Sequence, residues 1–337
     1  MKRLICAFIL STFAFHSPAI AEVDFVNIAS LRSAAPERFQ GDYITANKNT
    51  VSIDAPVIIP NVSAVPVVRV TWSKPVEIAD VSLNVATNNA NLLEVNHSFE
   101  ADAQRLLTAT FETVNQKLSH VDAEKVLLDR ICNIVPALSA HDFECINRLS
   151  YRSAGEKDGF YMLFFARLYH GIPYLCNPPY AISLGNVEPP IPNEVTHGCI
   201  ADEDHFTFSV SSPKELGIIA DDIPLLPFSE IEKIITRRIE AGYIHSLDEI
   251  RLGYRIFIDP AYPGTEYILS PVWVFSGNMR ASLNIPFVKN DVVFMPYKNM
   301  SSFAINAQTG EVYTFALEDA KDRKSAPHII TWQEAQQ

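Results

Sequence analysis

The stretch 225–275, LLPFSEIEKIITRRIEAGYIHSLDEIRLGYRIFIDPAYPGTEYILSPVWVF, decides the fold class. Ser229 and Glu232 stand three apart ahead of an apolar run, the spacing of a capping box. Ile231, Ile234, Ile235 and Ile239 then recur at steps that put them on one helical face. Arg237 and Arg238 suit the negative end of that helix, and Gly242 can take the left-handed conformation that stops it. Three strand-like runs follow: Ile250 to Ile258, Tyr267 to Phe275, and Ser302 to Phe315 folded at Gln308-Thr309-Gly310. An amphipathic helix followed by strands with no crossover helix between them predicts an α+β fold, the helix packed on a curled antiparallel sheet.

Working outward, Phe160 to Tyr169 reads as a buried strand that stops at Gly171-Ile172-Pro173, and Phe206, Phe208 and Val210 alternate with polar residues as a strand does. Between them, 171–199 is rich in proline and without a period, which predicts a long loop. Upstream, Phe99, Ala103, Leu106, Leu107, Phe111, Val114 and Leu118 follow Ser98 at helical spacing. Asp122 can cap a second, shorter helix carrying Val126, Leu127 and Ile131. From Thr50 to Trp72 the apolar pieces are interrupted by Pro56, Pro60 and Pro66, so they are expected at a sheet edge. Residues 22–49 have no firm period and read as a lead-in. The order helix then strands occurs twice, which predicts two α+β lobes, 50–215 and 216–337.

The chain opens with Lys2 and Arg3, an apolar run from Leu4 to Phe15, and Ala19-Ile20-Ala21. This is the pattern of a signal peptide cleaved after Ala21, and the run is shorter than the roughly twenty residues that span a bilayer. Losing Lys2 and Arg3 takes the formal net charge from −12 to −14. Such an excess of carboxylates repels phosphate backbones and anionic lipid, so nucleic acid is excluded as a partner, and no integral membrane span is expected after cleavage. The 48% hydrophobic share is enough for a core and argues against disorder. Once Cys6 leaves with the signal, Cys132, Cys145, Cys176 and Cys199 remain, an even number in an oxidising compartment. Local closure is the simplest pairing: Cys132 with Cys145, and Cys176 with Cys199, the latter tethering the proline-rich loop.

Several motifs share one order: Ser52-Ile53-Asp54-Ala55-Pro56-Val57, Phe160-Tyr161 leading to Gly171-Ile172-Pro173, Leu225-Leu226-Pro227-Phe228, Leu252-Gly253-Tyr254, Pro271-Val272-Trp273, and Ala304-Ile305-Asn306-Ala307 with Thr309-Gly310. This set resembles a family of exported bacterial proteins of unknown function, mostly lipoproteins of Gram-positive bacteria, over about Thr50 to Phe315. The last part also resembles PepSY-like modules. The resemblance implies a small α+β unit, PepSY-like or cystatin-like, that binds or restrains a partner protein, and it supplies no catalytic residues. The chain departs from the lipoprotein pattern in lacking a cysteine just after its apolar run.

For chemistry, His197, Cys199, Asp202, Asp204 and His205 include every ligand type zinc accepts, but their spacing matches no common zinc pattern. His197, Asp202 and His205 are the metal candidates, and a polar loop is the competing reading. Acid–base work could fall to Glu203 with Asp204, to Asp221 with Asp222, or to His141 beside Asp142 and Glu144. Each also reads as solvated surface or a capped loop. Trp273 and Tyr254 could form a ligand platform, yet their apolar neighbours favour the core, and His170 reads the same way. No nucleophile elbow, metalloprotease motif, P-loop or dinucleotide fingerprint occurs. The expectation is therefore a non-enzymatic exported binding or regulatory protein of the cell envelope with no cofactor, docking a partner by the proline-rich loop or an exposed sheet edge. An envelope hydrolase with a site between the lobes, or a carrier of a small peptide or lipid, are the alternatives.

Overall fold

The computed structural model describes residues 24–71, 76–78, 117–135, 137–152, 159–175, 196–210, 213–262, 265–277, 279–280, 292–293, 301–314 and 327–336. The protein is α+β. The first helix expected, from Phe99 to Leu118, lies outside the described residues apart from its last two positions.

Strand β12 (Glu266–Ser276) organises the larger sheet. One of its edges is paired along its whole length with β11 (Glu249–Ile258), antiparallel. Its other edge is divided: residues 266–269 pair with β3 (Val67–Thr71), and residues 272–276 with β15 (Ser301–Asn306). Pro271 falls in the gap between these partners, which is how a residue without an N–H sits in a central strand. Beyond β15 comes β16 (Val312–Thr314), and β3 carries β10 (Lys214–Ala220) on its far side. The other flank runs from β11 to β2 (Thr50–Ile58) and β1 (Arg38–Ile44).

The apolar pieces at 50–72 are therefore not at an edge, contrary to expectation. β2 lies between β1 and β11, and β3 between β10 and β12. Pro56 is accommodated because it sits opposite Arg38 at the end of the β1 ladder, while the short parallel contact with β11 begins at Val57. The lead-in is also structured. Helix α1 (Ile28–Ala34) is capped by Asn27, whose Oδ1 accepts from the Ser30 amide, and Ile28, Leu31 and Phe39 are buried. Seven residues make only two turns, too few to display a period.

A second sheet is formed by β4 (Val76–Ile78), β9 (Phe206–Val210), β8 (Thr196–Ile200), β6 (Gly159–Tyr169) and β5 (Phe143–Arg152) in that order, with β7 (Ile172–Pro173) paired to β6. Helix α2 (His120–Ile134) packs on it through Ala123, Leu127, Leu128 and Ile131 against Leu163, Phe165, Ile200 and Phe208. Its cap is Ser119, whose Oγ accepts from the Asp122 amide at 3.1 Å; Asp122 stands in the first turn rather than at the cap. This sheet is drawn from the middle of the chain, whereas the larger sheet takes strands from both ends. The boundary expected at 215/216 consequently falls inside β10.

Helix α3 (Phe228–Glu240) buries Phe228, Ile231, Ile235 and Ile239 in the core of the larger sheet. It starts before the capping box expected at Ser229: Pro227 is the cap, and no side chain caps the helix. Phe228 accounts for the earlier start, since its ring is buried edge-on against Trp273 at 5.3 Å between centroids. Gly242 ends the helix at φ +80°. The β15–β16 turn is held by Asn306, whose Oδ1 accepts from the amides of Gln308 and Thr309, before Gly310 at φ +71°.

The two sheets meet on the face of β11 and β12 opposite α3. Ala166 and Leu175 pack there against Phe257, Val272, Val274 and Ala304. Gly253 permits this approach: a Cβ there would lie 2.5 Å from Leu175 Cδ1 and 2.8 Å from the Pro173 carbonyl. Arg251, only 11% exposed, bridges the sheets by donating to Glu249 on its own strand and to Glu144 on β5.

Candidate docking edge

Strand β10 has β3 on one side and, among the described residues, no strand on the other. Its sequence, Lys214-Glu215-Leu216-Gly217-Ile218-Ile219-Ala220, places Leu216 47%, Ile218 44% and Ile219 38% exposed along that edge. Two bulges interrupt its pairing with β3, between Glu215 and Gly217 and between Ile218 and Ala220. Leu216 and Ile219 are thus the extra residues, without opposite numbers in β3, and a bulge bends a strand and re-aims its side chains. Three large apolar side chains in solvent on one seven-residue strand form a patch, unlike a singly exposed leucine.

The start of the strand is fixed from the second sheet. Tyr169 donates its hydroxyl to the Pro213 carbonyl, and His170 Nε2 lies 3.1 Å from Glu215 Oε1. His170 is not a core residue, contrary to expectation. It and Gly171 form the two-residue turn between β6 and β7, with φ +52° and +78°, and positive φ at both positions belongs to the tight hairpin turn that matches strand twist. That turn projects its residues outward. At the far end of β10, Asp221 is exposed, while Asp222 is tied down: its carboxylate accepts from the Val65 amide at 3.1 Å and from Trp332 Nε1 at 3.2 Å. Asp221 and Asp222 therefore differ in role and do not form an acid–base pair.

The metal candidates are only partly brought together. Asp202 and His205 share the turn between β8 and β9, where Asp202 Oδ1 lies 2.7 Å from His205 Nδ1 and accepts from the amides of Asp204 and His205. Its other oxygen accepts from Lys117 Nζ at 2.7 Å. Burial alone would raise the Asp202 carboxyl, but these donors outweigh it and hold the group well below the usual carboxylate range. Both oxygens are thus occupied by protein donors. His197 lies on β8, stacked at 6.0 Å on Phe164, and no cluster of three or more His, Cys, Asp or Glu suited to a metal occurs among the described residues.

Among the described residues Cys132, Cys145 and Cys199 are not bridged to one another, and Cys176, with the 176–199 bridge expected for it, lies outside the described residues. Cys145 lies in register with Phe165 beside the α2 core, whereas Cys132 is near Asp129 and Asp142. Burial and then those two carboxylates raise the Cys132 thiol, and burial pushes Cys199 up to about 11 despite its bond to Thr207. Thiols held protonated at neutral pH are poor nucleophiles.

The remaining candidates are structural or dispersed. Trp273 and Tyr254 are fully buried, and Tyr254 donates its hydroxyl to the Pro66 carbonyl at 2.6 Å. Asp142 accepts from the Ser139 amide in a capping box, and Glu144 faces Arg251, so neither is positioned by His141. Glu203 and Asp204 are exposed at the β8–β9 turn. The sequence signal of β10 is the alternation Leu216, Ile218, Ala220, masked by Ile219 out of phase at the bulge.

No protein-family model matches the chain, and a search of curated proteins finds no match. Among solved structures, an uncharacterized protein from Eubacterium rectale ATCC 33656 matches with a TM-score of 0.48 and 14% identity, covering 86% of this chain and 98% of that one.

Proposed function

We propose that the protein is a non-enzymatic extracytoplasmic binding protein of the bacterial cell envelope, exported by residues 1–21, that docks another protein along β10. The single observation that carries this reading is the apolar edge itself. A strand with an open side offers main-chain donors and acceptors to an incoming strand, and its exposed side chains select it. Leu216, Ile218 and Ile219 supply the apolar contact, and Lys214 and Asp221 supply opposite charges at the two ends. Helix α3 on the antiparallel strands β11, β12, β15 and β16 is the part we read as PepSY-like or cystatin-like, a class of unit that restrains partner proteins. The signal-like start and the mature charge of −14 fit an exported protein that avoids anionic surfaces.

The test is cross-linking in intact cells followed by mass spectrometry, with the wild type compared against Leu216→Ser/Ile218→Asp. The expected outcome is a protein enriched with the wild type and lost with the variant. Equal enrichment in both would remove β10 as the docking edge.

A further inference from the structure

We propose that Gln308, Pro224 and Asp222 form a peptide-binding site whose ligand is an extended segment with a tryptophan two residues beyond the residue that Gln308 holds, and that residues 329–332 of this chain fill it in cis. This is a second site, and it stands whether or not a partner docks on β10.

Gln308 belongs to the β15–β16 turn, yet it is only 2% exposed. Its carboxamide carries two donors and an acceptor oxygen that must find partners once buried. Nε2 donates to the Pro224 carbonyl at 3.0 Å and to the Ile330 carbonyl at 2.7 Å, and Oε1 accepts from the Ile330 amide at 3.3 Å. The N–H and C=O of one residue point to the same side in extended backbone, as in the paired bonds of an antiparallel ladder. Gln308 therefore reads the main chain of Ile330 as a neighbouring strand would. Bonds to main-chain atoms carry no preference for a side chain, and Asp222 supplies one. Its Oδ1 accepts from the Val65 amide at 3.1 Å, which leaves Oδ2 to accept from Trp332 Nε1 at 3.2 Å. An indole N–H only donates, so the carboxylate favours tryptophan over phenylalanine. Ile329 adds an apolar contact with the core of the larger sheet.

Occupant and site are held in different ways. None of residues 327–336 is buried, and among the described residues no hydrogen bond between main chains joins them to the rest of the fold. Their remaining bonds are local: Thr331 and Glu334 close a capping box on the single turn Trp332–Ala335. The floor beneath them is fixed by the main chain. Ile223 donates its amide to the Val65 carbonyl, Leu225 exchanges both bonds with Val26, and Leu226 donates to the Ala307 carbonyl. A segment held only through side chains opens without global unfolding, and the floor keeps its shape when it does. What the floor then offers is preorganised, which lowers the cost of binding another peptide of the same chemistry.

Fluorescence anisotropy of a labelled synthetic peptide with the sequence of 327–336, PHIITWQEAQ, tests the proposal on the full chain. The Trp332→Ala protein, whose own segment has lost its anchor, is expected to bind the peptide with a Kd of about 0.1 mM, within the range of weak specific association. Wild type should bind about tenfold more weakly, because its segment competes at an effective concentration of about 1 mM. Replacing the tryptophan of the peptide by alanine, or adding Asp222→Asn to the Trp332→Ala protein, should each weaken binding about tenfold. Hydrogen exchange of the wild type gives an independent reading: the Ile330 amide should exchange at least about a hundredfold faster than the amides inside α3. No binding to Trp332→Ala, equal binding by Trp332→Ala and wild type, or binding indifferent to Asp222→Asn overturns the proposal. So does an Ile330 amide as slow as those of α3, which would make 327–336 a fixed part of the fold.

Discussion

β12 and β10 belong to the same sheet, yet they meet water in opposite ways. In EYILSPVWVFS every residue from Tyr267 to Ser276 is buried, because β11 pairs along one edge, β3 and β15 share the other, and both faces are covered. In KELGIIA Leu216, Ile218 and Ile219 are exposed, because among the described residues only β3 pairs with the strand and does so through two bulges. Apolar content therefore does not separate a core strand from an exposed one. Pairing on the second edge and cover on both faces do, and a strand that keeps large apolar side chains without either retains the capacity to bind.

The largest expected difference lies in stability. Trp273→Ala in β12 removes a fully buried ring packed edge-on to Phe228 and should cost about 3–5 kcal/mol. Ile218→Asp in β10 should stay within about 0.5 kcal/mol of wild type, as surface changes do. Urea unfolding of both variants measures the contrast. A large loss from Ile218→Asp would mean that β10 is covered in the folded protein.

A smaller effect sharpens the comparison by adding a polar turn whose stability is electrostatic. The Asp202 carboxyl is depressed in the folded state, so its contribution is fully present above the ordinary aspartate range of about 3.9 and is lost as pH falls through the folded value. Asp202→Asn should therefore lower stability by about 1 kcal/mol at neutral pH, and the gap from wild type should close as the pH falls below about 4. Denaturant midpoints across pH check this. A gap that does not change with pH would assign the cost to lost geometry rather than charge.

The fold is legible in the sequence where one rule governs a long run. The alternation and density of 250–258 and 267–275, the stripe Ile231, Ile235, Ile239 and the turn at 308–310 all reappear in the fold. It is not legible where a partner decides the outcome. Pro56 looks like an edge signal until β2 is seen to change partners beside it. Ser229 looks like a cap until the burial of Phe228 moves the helix start. His170 looks apolar by its neighbours but occupies the outer turn of a hairpin. The docking edge was the least visible part, since the bulge at Ile219 breaks the alternation that would have announced a strand. Which edge of a sheet stays open is set by pairing across the whole chain, and no local pattern records it.

A photo-activated cross-linking side chain placed at Ile218, with the same group at the 61% exposed Val121 of α2 as control, asks directly whether β10 is a binding edge. Covalent adducts in cells, to a partner or to a second copy, are expected from position 218 and not from position 121. No adduct from 218, or equal adducts from both positions, would contradict it.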